Sequence, residues 1–246
     1  MTGIALIGGT GLNQLAGLEL QTEHVVNTPW GAPSHAVAEG RYHDKPLFFL
    51  ARHGVPHHIA PDRINYRANL WALRELGVST GVAVNAVGGI SEPMRAGRLL
   101  VPDQLIDYTW GREHSYFSGT DLPLQHIDFT QPYSAALRQQ LLVAANAASI
   151  DVVDGGTYGV TQGPRLETAA EVTRLGRDGC DVVGMTGMPE AALAAELELA
   201  YAAICLVVNP AAGLGSEPIT EASMRHILER EMQRLGDWLR VWLQGR

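Results

Sequence analysis

Residues Phe49–Ile90 read FLARHGVPHHIAPDRINYRANLWALRELGVSTGVAVNAVGGI. The stretch leaves an apolar run at Arg52-His53 and comes back to a second apolar run, Gly81–Val87, which ends in two glycines. Between the runs, Ile64–Leu76 places Tyr66, Leu70 and Leu73 at i, i+4 and i+7, the spacing of a helix with one buried face. Strand, helix and strand in succession make a β-α-β unit. Its chemistry-bearing residues fall at the strand ends: Arg52 and His53 at the first, Asn85 and Ala86 at the second. An Arg beside a His supplies N–H donors suited to an oxyanion such as phosphate. Backbone amides at Gly88 and Gly89 would line the same cavity. On spacing alone, an ordinary β-α-β unit with a surface arginine explains the stretch equally well.

The same alternation runs through the chain. Ile4–Ile7, Pro46–Leu50, Gly81–Val87, Arg98–Ile106, Asp181–Val183 and Ala202–Val208 read as strands, several without polar alternation. Such strands are expected where helices cover both faces of a sheet. Ser134–Ala148 and Pro189–Ala200 read as helices, the second with Pro189 at its first position. From Thr220 on, Met224, Leu228, Met232, Leu235, Leu239 and Trp242 keep a three-four spacing, predicting a last helix packed on the sheet. The expected fold is α/β: one domain over 1–246, with a central mixed β-sheet flanked by helices. The irregular Tyr108–Tyr133 region is long for a connection and suggests a functional or interface loop.

Composition narrows the classes. With 246 residues, 46% of them hydrophobic, the chain can bury a sizeable core. A net charge of −8 argues against nucleic acid as a partner, so an anionic substrate must meet a local cluster of donors. No apolar run reaches membrane-spanning length, and the start, TGIALIGGTGL, lacks the marks of a signal peptide. Cys180 and Cys205, without CxxC spacing, read as core thiols of a reduced protein. A cytoplasmic protein is expected.

Each candidate site has a plainer alternative. Gly8-Gly9-Thr10-Gly11 follows a strand, but a dinucleotide fingerprint needs glycine where Gln14 stands, which weakens a nicotinamide-dependent dehydrogenase. The turn can still offer amides and the Thr10 hydroxyl to phosphate, or be only a tight turn. His53, His57 and His58 have no carboxylate or cysteine at ligand spacing, so no metal is expected. Thr186, in GMTGMPE, precedes a helix start where an anion is favoured, or simply caps that helix. Glu167 and Asn209 read, by themselves, as a helix-start carboxylate and a turn residue.

RHGxxH, NYRANLWAL and VNAVGG, with GGTGL, GPRLE, GMTGMPE and VNPA in this order, resemble the trimeric purine nucleoside phosphorylase and methylthioadenosine phosphorylase family. The resemblance spans almost the whole chain. It implies phosphorolysis of a nucleoside with inorganic phosphate as co-substrate, no cofactor, and a homotrimer. It assigns phosphate to Thr10, Arg52, His53, Asn85, Ala86 and Thr186, and catalysis to Asn209 and Glu167. It assigns the nucleoside to Leu166, Met185, Asn209, Pro210 and Ala211. Glu167 and Asn209 are similar to the base-reading pair of the 6-oxopurine branch, whereas GGTGL and ARHG are similar to the methylthioadenosine branch. That mixture implies methylthioinosine as substrate, with inosine or guanosine, or methylthioadenosine, as alternatives. Ser223 and Met224, near the start of the last helix, are placed near the 5′ substituent, with help from a neighbouring subunit; a small residue at 223 leaves room for methylthio. His126, in QHIDFTQPY, resembles the residue contributed across the subunit interface. A non-catalytic nucleoside-binding protein is the remaining alternative.

Overall fold

Two strands organise the molecule: β5 (Val78–Gly89) and β11 (Ala200–Pro210) run parallel along nearly their whole length. In β11, Tyr201, Ala203, Cys205 and Val207 enter one core, while Ala202, Ile204, Leu206 and Val208 enter the other. The two-residue period of a strand thus delivers apolar side chains to both faces of the sheet, which is why polar alternation is absent. The first face is covered by α1 (Tyr66–Glu75) and α4 (Glu190–Glu196), the second by α2 (Ala135–Ala147) and α5 (Glu221–Gln244). Capping side chains start three of these helices: Asn65 for α1, Ser134 for α2, and Thr220 for α5.

The computed structural model describes residues 3–9, 12, 15–117 and 122–246. It is a single-domain α/β fold with a mixed sheet. The remaining strands are β1 (Gly3–Gly8), β2 (Leu18–His24), β3 (Val37–Tyr42), β4 (Lys45–Ala51), β6 (Leu99–Val101), β7 (Gln104–Asp107), β8 (Val152–Asp154), β9 (Thr157–Val160) and β10 (Val182–Gly184). The main path runs β2-β3-β4-β1-β5-β10-β9-β7, with β11, β6 and β8 branching from β5. No helix among the described residues is long and apolar enough to cross a membrane.

One consequence of this topology positions the site. On one edge of β5, β1 pairs up to Ala83 and then ends; β10 joins that edge only at Gly88 and Gly89. Val84 to Val87 therefore have no strand beside them there, and the gap becomes the floor of a cavity. Gly88 lines that cavity as expected, but Gly88 and Gly89 lie inside the ladder, opposite Val183 and Val182 and opposite Asn209 and Pro210, so they do not form a free amide cradle. Glycine is needed at 89, because a Cβ would lie 1.8 Å from the Met94 carbonyl oxygen.

The structure corrects several expected elements. Arg98–Ile106 is two strands, since Pro102 supplies no N–H and the chain turns there from β11 and β8 toward β9. Pro189 is the residue before α4, not its first, and α4 ends well before Ala200, with Glu198 at φ 56°. A further helix, α3 (Ala169–Arg177), begins at a Thr168/Glu171 capping box.

Candidate active site

A cavity of about 530 Å³ opens at the β5 gap. It is walled by the turn after β1 (Gly9), the turn after β4 (Arg52 to Pro61), the segments Pro164–Glu167 and Val183–Thr186, and the ends of β11 and α5. Of the residues expected to bind or react, Arg52, His53, Ala86, Leu166, Glu167, Met185, Thr186, Asn209 and Ala211 line it. Thr10 lies outside the described residues.

Arg52 is buried and cannot be an ordinary surface arginine. Its Nη1 donates to Glu190 Oε1 at 2.9 Å, and its Nη2 donates to the Val84 carbonyl at the strand gap. Burial works against the Arg52 charge, but Glu190 and the surrounding tyrosines outweigh it and raise its pKa. Tyr201 also donates to Glu190 Oε1, at 2.7 Å. The sequence reading missed Glu190, which passes there for a first-turn helix carboxylate. Among the described residues, Arg52 Nε is a buried donor without a hydrogen-bond partner. Asn85 stands behind the cavity wall, its Oδ1 accepting from Thr186 Oγ1 at 3.0 Å and its amide turned to the Cys205 thiol. An unpaired guanidinium N–H suits an oxyanion, because a buried N–H group without a partner is costly.

His53 Nδ1 lies 2.9 Å from the Ile59 carbonyl, and its ring stacks on His57 at 4.3 Å. Burial first, and Arg52 second, lower its pKa to about 4. His53, His57 and His58 all face the cavity, and no three His, Cys, Asp or Glu side chains among the described residues gather as a metal ligand set.

On the opposite side, Glu167 Oε1 accepts from Thr161 Oγ1 at 2.6 Å, which orients the carboxylate. A bulge in β11 between Val207 and Asn209 turns the Asn209 side chain, and both Val208 and Asn209 reach the cavity. Asn209 Nδ2 donates to the Pro210 carbonyl at 2.7 Å, leaving the amide oxygen and the second N–H for a ligand. Pro210 contributes that carbonyl, while its side chain is exposed and away from the cavity.

Ser223 does not reach the cavity. Its hydroxyl is consumed in the α5 cap, donating to the Thr220 carbonyl at 2.8 Å and accepting from Thr220 N. Met224, expected beside it, does line the cavity, with Ile219, Leu228, Leu12 and Val208. Within the Tyr108–Tyr133 region, the described stretch 108–117 acts as a clamp rather than a free loop. Buried Arg112 donates to the carbonyls of Met185 (2.9 Å), Met188 (2.6 Å), Thr161 (3.2 Å) and Gln162 (2.7 Å). It thereby ties together the two segments that carry Glu167 and Thr186. Those segments touch where Gly163, at φ 65°, meets Met185; a Cβ there would lie 2.6 Å from the Met185 sulfur. Leu124 and His126 of the same region are exposed.

Comparison with known proteins agrees with this architecture. The phosphorylase superfamily model matches residues 3–240, and the chain belongs to that family. It is 53% identical over 235 residues to a probable S-methyl-5′-thioinosine phosphorylase of Pseudomonas syringae pv. tomato, covering 96% of each chain. It is 40% identical over 238 residues to the 6-oxopurine nucleoside phosphorylase of Pyrococcus furiosus, covering 95% of this chain and 89% of that one. The methylthioadenosine phosphorylase of Schistosoma mansoni, solved with adenine, superposes with a TM-score of 0.94 at 30% identity, covering 99% of this chain and 91% of that one.

Proposed function

We propose that this chain catalyses the phosphorolysis of S-methyl-5′-thioinosine to hypoxanthine and 5-methylthioribose 1-phosphate. The observation that carries the proposal is that one cavity brings together three kinds of side chain. Glu167 and Asn209, Arg52 and Thr186, and the apolar Ile219, Met224 and Leu228 all line it.

A 6-oxopurine has a hydrogen on N1 and an acceptor at O6. The carboxylate of Glu167 accepts from N1–H; the Asn209 amide donates to O6 and accepts from N7–H. Adenine presents a bare N1, so the carboxylate would face a lone pair and remain unpaired. That mismatch is worth roughly a hundredfold in kcat/KM or more. Phosphate, held by Arg52, His53, Ala86 and Thr186, with Asn85 positioning Thr186 from behind and Thr10 joining on the family resemblance, attacks C1′ of the sugar as the base leaves. Its negative charge offsets the oxocarbenium character of the sugar, and Asn209 stabilises the purine as N7 takes a proton. Leu166, Met185 and Ala211 pack against the nucleoside. The reaction uses inorganic phosphate as co-substrate and no metal or cofactor.

The Pyrococcus furiosus relative favours a second reading, a general 6-oxopurine nucleoside phosphorylase acting on inosine or guanosine. The apolar side chains of Ile219, Met224 and Leu228 favour methylthio over hydroxyl. The proposal includes a homotrimer acting in the cytoplasm in purine salvage, with His126 reaching a neighbour's site. Exposed Leu124 (69%) and Trp110 (71%) support an interface on that face.

The test incubates the protein with methylthioinosine and phosphate. Hypoxanthine and methylthioribose 1-phosphate should appear one for one and only with phosphate present. Hypoxanthine release independent of phosphate, or none at all, contradicts the assignment.

A further inference from the structure

We propose that His53 meets the bound anion as a hydrogen-bond acceptor and so selects a protonated oxyanion, hydrogen phosphate or arsenate, over sulfate. The inference rests on the assignment of the cavity to phosphorolysis and concerns the anion that it admits.

The Ile59 carbonyl, 2.9 Å from Nδ1, can only accept, so Nδ1 carries the ring hydrogen. The ring cannot readily turn away, because the His53 carbonyl itself accepts from both His58 N and Ile59 N at 3.0 Å, closing the turn. Nε2 has no hydrogen-bond partner among the described residues. Its edge of the ring faces the Gly9 turn: a Cβ built on Gly9 would lie 3.3 Å from Cδ2 and 3.9 Å from Nε2, and both residues line the cavity. Adding a proton at Nε2 would set a second positive charge beside Arg52 and against the stacked ring of His57. Burial, then Arg52, hold the His53 pKa at about 4. Burial and Arg52 also lower that of His57, against the opposing pull of Glu221. The imidazole is therefore neutral at working pH, with a lone pair at Nε2.

Donor and acceptor then divide the anion between them. Among the described residues, Arg52 Nε is an unpaired donor for a bare oxygen. His53 Nε2 requires an O–H. Near neutral pH inorganic phosphate and arsenate keep at least one O–H, and sulfate keeps none. Sulfate leaves the lone pair unpaired against a negatively charged oxygen.

The test measures the KM for phosphate and the competitive Ki for sulfate in the full chain. The wild type should bind sulfate about tenfold or more weakly than phosphate, the scale of one unpaired buried group. His53→Ala should raise the phosphate KM about tenfold while moving the sulfate Ki by about twofold or less. Equal losses for both anions, or equal binding of both by the wild type, overturn the inference. Because His53→Ala can also disturb the turn, the wild type labelled with ¹⁵N-histidine supplies an independent readout. The His53 pattern should be the Nδ1–H tautomer throughout, with the Nε2 resonance displaced by phosphate and not by sulfate. An imidazolium pattern with either anion overturns the inference. A wild type with the expected ¹⁵N response that cleaves no nucleoside refutes phosphorolysis and leaves the anion selection standing.

Discussion

Glu190→Gln isolates the buried charge beneath the cavity. Glu190 is 0% and Arg52 2% exposed, 2.9 Å apart, with Tyr201 as a second donor to the same carboxylate oxygen. Glutamine keeps the size and one acceptor, so the change removes mainly the negative charge. Breaking one side of a buried pair costs about 3–5 kcal/mol. The lower end applies here, since the amide oxygen still accepts from Arg52 or Tyr201. At about 2–4 °C per kcal/mol for a domain of this size, the melting temperature should fall roughly 6–12 °C in phosphate-free buffer. Phosphate then supplies the missing counter-charge to Arg52. Its KM should fall below the wild-type value, and saturating phosphate should raise the melting temperature by more than it does for the wild type. Calorimetry across a phosphate series, paired with the phosphate KM, reads both effects. An unchanged melting temperature together with weaker phosphate binding would refute the claim that Glu190 neutralises Arg52 and that Arg52 faces the anion.

Arg112→Lys should raise the KM for both nucleoside and phosphate and lower kcat at least tenfold, because a point charge cannot hold four carbonyls as a planar guanidinium does. Partial rescue of Arg112→Ala by added guanidinium, with little gain in melting temperature, would separate positioning from bulk stability. Asn209→Asp alone should damage 6-oxopurine turnover, since a carboxylate cannot donate to O6. Combined with Glu167→Ser it should shift preference toward methylthioadenosine, non-additively, because both residues touch one ring. His53 also sets a pH dependence. Its folded pKa of about 4 lies below the ordinary 6.5, so the unfolded chain binds the extra proton between those values. Stability should therefore fall as pH drops from about 6.5 to about 4, by up to about 3 kcal/mol from this group. His53→Asn should flatten that part of the denaturation profile; an unchanged slope would contradict the neutral, buried imidazole.

The central elements were legible because burial leaves a strong local mark. β11 is apolar at consecutive positions since it faces two cores, and α1 and α5 show their buried faces as three-four spacing. The β2–β3 hairpin left no such mark: β2 is LELQTEH, largely exposed at the sheet edge. α3 was overlooked although Thr168 and Glu171 spell a capping box. At the site, nine residues that line the cavity were identified by type and family resemblance. The residues that hold them were not: Glu190 and Arg112 acquire their roles from partners distant in the chain, and Thr161 from a turn that brings Glu167 back onto it. Ser223 shows the converse. The family resemblance placed it at the 5′ substituent, but the helix cap takes up its hydroxyl.

The ratio of kcat/KM for methylthioinosine to that for methylthioadenosine, measured on the wild type at saturating phosphate, tests the central claim most directly. Glu167, oriented by Thr161, and Asn209, turned inward by the β11 bulge, predict a ratio of about a hundred or more in favour of the 6-oxopurine. Equal cleavage of the two nucleosides, or a preference for the 6-amino one, would contradict the assignment of these residues to the purine.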